Sequence, residues 1–161
     1  PSKTDGIADE ETKRRKRWLH CAIDPEYRTV FKNRAKLIWI IRKFLEREDF
    51  LEVETPILVP AASGALAKPF RTHHNALGAD FFLRIAPETY LKRMTAGGFN
   101  RVFEIGKQFR NEGIDPSHLQ EFTTVEWYAA YWDYKDNLNF FLKLLQIMSK
   151  GWLSVNENLF I

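Results

Sequence analysis

The sequence predicts an α+β domain built around an antiparallel sheet, and three observations carry that prediction. Apolar residues recur at helical spacing from Phe31 to Leu45 and again from Leu138 to Met148. Between them, residues 101–110 and 121–128 alternate in character like the two arms of a hairpin around a polar loop. The resulting order of helix, strand, strand, helix, hairpin and helix is that of an α+β fold. The chain has 161 residues, of which 45% are hydrophobic and 28% charged, enough apolar material for a core and too much for intrinsic disorder.

Composition also removes whole classes of function. No apolar run approaches the roughly 18–20 residues that span a bilayer, and the polar stretch from Pro1 to Lys13 lacks the apolar core of a signal peptide. A single cysteine, Cys21, excludes an internal disulfide and suits a reducing compartment, so a soluble cytoplasmic domain is expected. The formal charge is +3. It is unevenly spread, because residues 13–17 are all Lys or Arg. Such a run is read either as a solvated linker or helix start, or as a patch that contacts nucleic-acid phosphates.

Residues 1–25 hold few apolar positions and read as a basic lead-in that ends at Asp24-Pro25. In the helix that follows, Phe31, Ala35, Ile38, Ile41 and Leu45 share one face, and Leu37, Ile40 and Phe44 widen it. A stripe this broad predicts more than one buried surface, such as the domain's own sheet and a second subunit. The helix is expected to stop near Glu48-Asp49, where Asp tolerates a left-handed turn. Residues 50–56 then read as a strand closed by Pro56. The small residues 60–69 read as a loop over a pocket. A short strand from Phe81 to Ile85 leads to a helix opened by Pro87 and stopped by Gly97-Gly98. A last helix spans about 135–150, with Leu138, Phe141, Leu142, Leu145 and Met148 on one side.

The hairpin carries the most chemistry. Period two places Phe103, Ile105 and Phe109 on one face and Glu104, Gln108 and Arg110 on the other; Phe122, Thr124, Glu126 and Tyr128 share a face of the second arm. A polar sheet face can be merely solvated. Two aromatic residues among the charges instead suit a flat base next to charged groups, with arginine pairing to phosphate or carboxylate oxygens. Other chemistries fall away. Gly106-Lys107 is followed by Gln108, so there is no phosphate-binding P-loop. No Gly-x-Gly-x-x-Gly opens a helix after a strand, and no Gly-x-Ser-x-Gly elbow occurs. His73 and His74 are adjacent, and no cysteine pair offers zinc spacing, so no metal site is expected within the chain.

These residues resemble a known family. Residues 101–113, Arg-Val-Phe-Glu-Ile-Gly-Lys-Gln-Phe-Arg-Asn-Glu-Gly, with residues 121–128, Glu-Phe-Thr-Thr-Val-Glu-Trp-Tyr, resemble motif 2 of the class II aminoacyl-tRNA synthetases. The helix from about residue 31 with Phe-Leu-Glu-Val-Glu-Thr-Pro to residue 56 resembles their motif 1. Residues 68–77, Lys-Pro-Phe-Arg-Thr-His-His-Asn-Ala-Leu, and 83–93, Leu-Arg-Ile-Ala-Pro-Glu-Thr-Tyr-Leu-Lys-Arg, narrow the resemblance to the lysyl-tRNA synthetases. The resemblance implies a linker over 1–25 and part of a catalytic domain over 26–161, with an incomplete class II antiparallel sheet flanked by helices.

By position, the resemblance gives Arg110 the role of bridging the ATP α-phosphate and the amino-acid carboxylate. It places Asn111, Glu112, His118, Leu119 and Phe122 against ATP, with Phe122 stacked on adenine. Gly64 and Glu88 would hold the lysine α-ammonium, Glu126 would be a further substrate-binding acid, and Tyr128 would face the lysine side chain. It implies ATP and lysine as substrates, tRNA(Lys) as acceptor, and a homodimer formed through the motif 1 helix. Magnesium is implied for a complete enzyme, with its ligands beyond Ile161, where motif 3 would fall. The chain departs from the family pattern in the motif 2 loop, where residues 117–122, Ser-His-Leu-Gln-Glu-Phe, stand for the usual Arg-His-Asn-Pro-Glu-Phe: Ser117 removes a phosphate-facing charge, and Leu119 suits a contact made through the backbone. Asp49 stands where a glycine usually precedes motif 1's phenylalanine. Two alternatives remain at this level: a stand-alone paralogue that attaches lysine to a protein, and a non-catalytic relative that dimerises or binds a partner.

Overall fold

The computed structural model describes residues 6–157 except 114 and 116, and for 152–157 the backbone only. Residues expected as a lead-in form two short helices, α1 (Glu10–Arg15) and α2 (Arg17–Ile23). Asp9 caps α1 by accepting the Thr12 N–H at 2.8 Å. The basic run falls at the end of α1 and the start of α2, where Lys13 and Arg15 pair with Glu10 and Glu11 at 2.6 and 2.7 Å. The long helix α3 (Pro25–Arg47) begins at Pro25 because Asp24 accepts the N–H groups of Glu26 and Tyr27 at 2.9 and 3.0 Å. It ends as expected: Asp49 adopts a left-handed φ of 62°, and the Phe50 N–H returns to the Leu45 carbonyl at 3.0 Å.

Two compact units are present. One comprises the helices up to Phe44 together with α5 (Tyr134–Glu157) from Asn139 onward; the other is Leu45–Leu138. In the first, Phe44 meets Phe140 with ring centroids 4.9 Å apart. Gly151 lets the helices approach, since a Cβ there would lie 2.6 Å from Ile40 Cδ1. The buried side of α5 is thus Phe140 and Leu144, whereas Leu138, Phe141, Leu142 and Leu145 are all exposed. This corrects the face read from spacing. Apolar residues surround most of this helix, and its partner Phe44 selects only one stripe of them.

The second unit holds two three-stranded sheets. One has the order β1 (Leu51–Glu52), β5 (Arg101–Phe109), β6 (Glu121–Ala129); the other has β2 (Leu58–Val59), β4 (Ala79–Leu83), β3 (Arg71–His74). Antiparallel pairing dominates, but β1 runs parallel to β5, with Leu51 opposite Val102. The strand expected over 50–56 is therefore short, and β2 and β3 were not anticipated. The helix α4 (Glu88–Ala96) lies between β4 and β5 in sequence and packs on β5 and β6. Arg101 joins the end of α3 to the start of β5: its Nη1 donates to the Glu48 carbonyl at 2.7 Å, and its guanidinium lies over the rings of Phe50 and Trp132. Burying Phe103 and Leu91 completely contributes about 1.5–3 kcal/mol each.

Candidate active site

The β5–β6 register decides which side chains share a surface. Glu104 lies opposite Glu126, Gln108 opposite Phe122, and Val102 opposite Tyr128. The face expected to carry the chemistry therefore does carry Glu104, Gln108, Phe122, Glu126 and Tyr128 together. It is not a wet surface. Glu104 and Gln108 are buried, at 5% and 1% exposure, because the chain's own residues cover that part of the sheet.

Arg84, immediately after β4, is the main cover. Its Nη1 lies 2.5 Å from Glu104 Oε1, with both side chains almost fully buried. Nη1 also donates to Thr55 Oγ1 at 2.8 Å, while Nε donates to the Lys107 carbonyl at 3.0 Å. Thr55 in turn donates its hydroxyl to Glu104 Oε2 at 2.6 Å. The strand leaves room for this guanidinium only because residue 106 is glycine. A Cβ there would overlap Arg84 Nη2 and sit 3.0 Å from Glu104 Oε1. Sequence reasoning missed Arg84 as a structural centre. Its signal was a lone charge inside the apolar run Phe81–Ala86, followed by a glycine in mid-strand.

At the mouth of the hairpin, the Arg110 N–H donates to the Gln120 carbonyl at 2.9 Å, and the loop between them closes a cleft of about 590 Å³. Five of the six residues expected against ATP line it: Arg110, Glu112, His118, Leu119 and Phe122. Asn111 is instead engaged through its backbone, its N–H donating to the Lys68 carbonyl at 2.7 Å. The Arg110 guanidinium lies over the Phe122 ring, 5.1 Å from its centroid, and its Nε is buried without a hydrogen-bond partner. Asp115 shapes the loop by accepting the N–H groups of Ser117 and His118 at 2.7 and 2.9 Å, and it contacts His118 Nδ1 at 2.6 Å. Hydrogen bonds from Ser117, then those from His118, hold the Asp115 carboxyl down at about 2. Leu119 is 71% exposed, so it offers its backbone and an open apolar surface rather than a packed contact.

The remaining expected residues gather on the same face, toward α4. Gly64 has a φ of 90°, and a Cβ there would lie 3.0 Å from Glu88 Cβ, so the loop over 60–69 presses its backbone onto Glu88. Tyr128 reaches Glu126 at a long 3.5 Å. Burial, then the charge of Glu88, pushes the Glu126 carboxyl above its ordinary range. Burial, then the charges of Glu126 and Glu88, pushes the Tyr128 phenol well up. Both shifts come first from burial, with the neighbouring carboxylates adding to it. Glu88 also pairs with Lys92 at 2.5 Å, one helical turn on.

A helix-flanked antiparallel hairpin with an arginine at its mouth, an aromatic plate beside it and acids below defines a class: the chain matches the model of the tRNA synthetases class II (D, K and N) over residues 9–159 and belongs to that family. Among curated proteins it is similar to the lysine–tRNA ligase of Burkholderia thailandensis, with 55% identity over 146 residues, 91% of this chain. The lysine–tRNA ligases of Burkholderia mallei and Burkholderia pseudomallei are 54% identical over the same share of the chain. The chain spans 29% of the length of these relatives. Among the described residues, no helix is long and apolar enough to cross a membrane.

Proposed function

We propose that this chain forms part of the catalytic domain of a lysine–tRNA ligase, acting in the cytoplasm. The reaction has two steps. A lysine carboxylate oxygen attacks the α-phosphorus of ATP, the bond to the β-phosphate breaks, and pyrophosphate leaves. A hydroxyl at the 3′ end of tRNA(Lys) then takes the lysyl group from the adenylate and releases AMP. The observation that carries this reading is Arg110, whose buried, unpartnered Nε lies beside an aromatic plate in an open cleft. A fixed cation there stabilises charge that grows on the phosphate oxygens without having to reorganise. Phe122 offers its ring to adenine, while Glu112 and His118 line the same cleft. Asn111, Leu119 and Gly64 contribute mainly through backbone position.

Glu88, Glu126 and Tyr128 form the lysine end. Two carboxylates, Glu88 and Glu126, lie there with one lysine, Lys92, paired to Glu88, which suits an ammonium, and positioning rather than covalent catalysis accounts for the rate. Glu88→Gln or Glu126→Gln in the full-length gene product is expected to raise the KM for lysine about tenfold or more and leave that for ATP near its original value. Because the Glu126 carboxyl starts above its ordinary range, lysine KM should climb as pH falls through that raised value, where the acid becomes neutral. Equal changes in both KM values would contradict the assignment. Magnesium serves class II synthetases generally. The described residues offer no cluster of three His, Cys, Asp or Glu side chains to hold an ion, and Asp115 is committed to Ser117 and His118, so no step is assigned to a metal on this chain.

The homodimer belongs to the same proposal. On α3, Val30 and Trp39 are 60% and 54% exposed, and Phe31 is 42% exposed, which suits a helix covered by a second subunit. Sedimentation of the gene product at about 10–50 µM, a range in which a standard-size interface is occupied, should give a dimer. A monomer across that range would remove the dimer from the proposal.

A further inference from the structure

The acids below the cleft present an electrostatic problem. Glu104 and Glu126 are cross-strand partners on one face, an arrangement that is unfavourable for two like charges. Glu88 adds a third carboxylate whose field reaches both Glu126 and Tyr128. If all three were equally available, an ammonium entering the site could settle on Glu104, away from the position that reaction requires.

We propose that Arg84 is the positioning residue of the ammonium subsite: it commits Glu104 to an internal pair and so leaves Glu88 and Glu126 as the acids that receive the substrate's ammonium groups. This inference rests on the proposed lysine site and deepens it. Four features support it. The pair is short, at 2.5 Å, and buried on both sides. Both Glu104 oxygens are occupied, one by Arg84 and the other by the Thr55 hydroxyl. The guanidinium is held in place by the Thr55 and Lys107 carbonyls at 3.1 and 3.0 Å. A glycine at 106 keeps the space above the strand open for it. A lysine at position 84 would supply charge but no planar fork to meet all these acceptors.

The groups facing Glu126 are Glu104 on β5, Glu88 on α4, Tyr128 on β6 itself and Arg84 beyond β4, with Lys92 paired to Glu88. Glu104 raises the Glu126 carboxyl and Arg84 lowers it, so the two act in opposite directions at Glu126. Removing the charge of Glu104 alone would leave Arg84 as an unspent cation beneath the subsite. That cation would repel the substrate's ammonium and draw Glu126 downward.

The test is lysine-dependent pyrophosphate exchange in the full-length gene product, with thermal midpoints measured in parallel. Glu104→Gln keeps the side chain's shape and hydrogen-bonding capacity. It is expected to raise the KM for lysine about tenfold while the KM for ATP changes by less than about twofold. The acidic limb of the lysine KM profile should also move to lower pH. The double variant Arg84→Gln/Glu104→Gln removes both charges together and should bring the lysine KM back toward its original value. An unchanged lysine KM in a folded Glu104→Gln protein overturns the inference, as does a parallel rise in both KM values with a lowered midpoint. Failure of the double variant to recover lysine KM while its midpoint is retained overturns it too. Absence of lysine-dependent exchange in the unaltered protein overturns the proposed function itself, and this inference with it.

Discussion

Arg110→Ala in the full-length gene product is expected to lower kcat/KM for lysine-dependent pyrophosphate exchange about 100- to 1,000-fold, or ~3–4 kcal/mol of transition-state stabilisation. The residue sits where β5 ends, with its N–H bonded to the Gln120 carbonyl at 2.9 Å, so the closing hairpin fixes its backbone. Its guanidinium is held over Phe122, and one donor, Nε, is buried without a partner. A donor left unpaired in this way costs free energy in the empty protein and recovers it when a ligand oxygen arrives. The pairing with Phe122 also restricts the rotamers of the side chain, so little ordering remains to be done when charge develops. Arg110→Lys should recover only a small part of the loss, because an ammonium lacks the planar fork and the face that lies over the ring. Near-normal exchange by the alanine variant would remove Arg110 from the proposed chemistry.

Gly106→Ala is expected to destabilise the protein by about 3 kcal/mol or more, since it forces apart a buried ion pair rather than merely crowding a core. Its new methyl group would overlap Arg84 Nη2 and press on Glu104 Oε1 at 3.0 Å. The end of an arginine side chain can usually move aside at little cost. Here it cannot, because the same guanidinium donates to the carbonyls of Thr55 and Lys107 and to the Thr55 hydroxyl. Moving it would strand Glu104, which is only 5% exposed, without its charged partner. Gly113→Ala provides the control, because no heavy atom lies within 4 Å of a Cβ built there. Thermal midpoints of the two variants should differ by several degrees, with the Gly113 variant close to the parent. Equal midpoints would mean that Arg84 relaxes freely and that the network is soft.

Much of the site was legible in the sequence because a β-hairpin obeys a strict two-residue period. Once 101–110 and 121–128 were read as strands, Glu104 and Gln108 had to share a face of one arm and Phe122, Glu126 and Tyr128 a face of the other, and the pairing register brings the two sets together. The end of α3 was equally legible. A broad apolar stripe that ran out at Glu48-Asp49 needed a residue tolerant of positive φ, and Asp49 supplies it at 62°. Local chemistry sufficed for both features.

What only the tertiary structure decided was which polar groups are spent inside the protein and which remain for a ligand. The hairpin register places Glu104 and Glu126 on one face, but the strand period cannot say that Arg84, 20 residues before Glu104, neutralises the first and leaves the second. The same limit applies to α5, where helical spacing offered several apolar stripes and Phe44 chose the one bearing Phe140. It applies as well to β2 and β3, whose short stretches pair with β4 although neither has a strong strand pattern of its own. Periodicity is a property of neighbours along the chain, so it determines which way a side chain points. Burial, charge pairing and strand partnership depend on residues that are distant in sequence, and those were settled only when the chain brought them into contact.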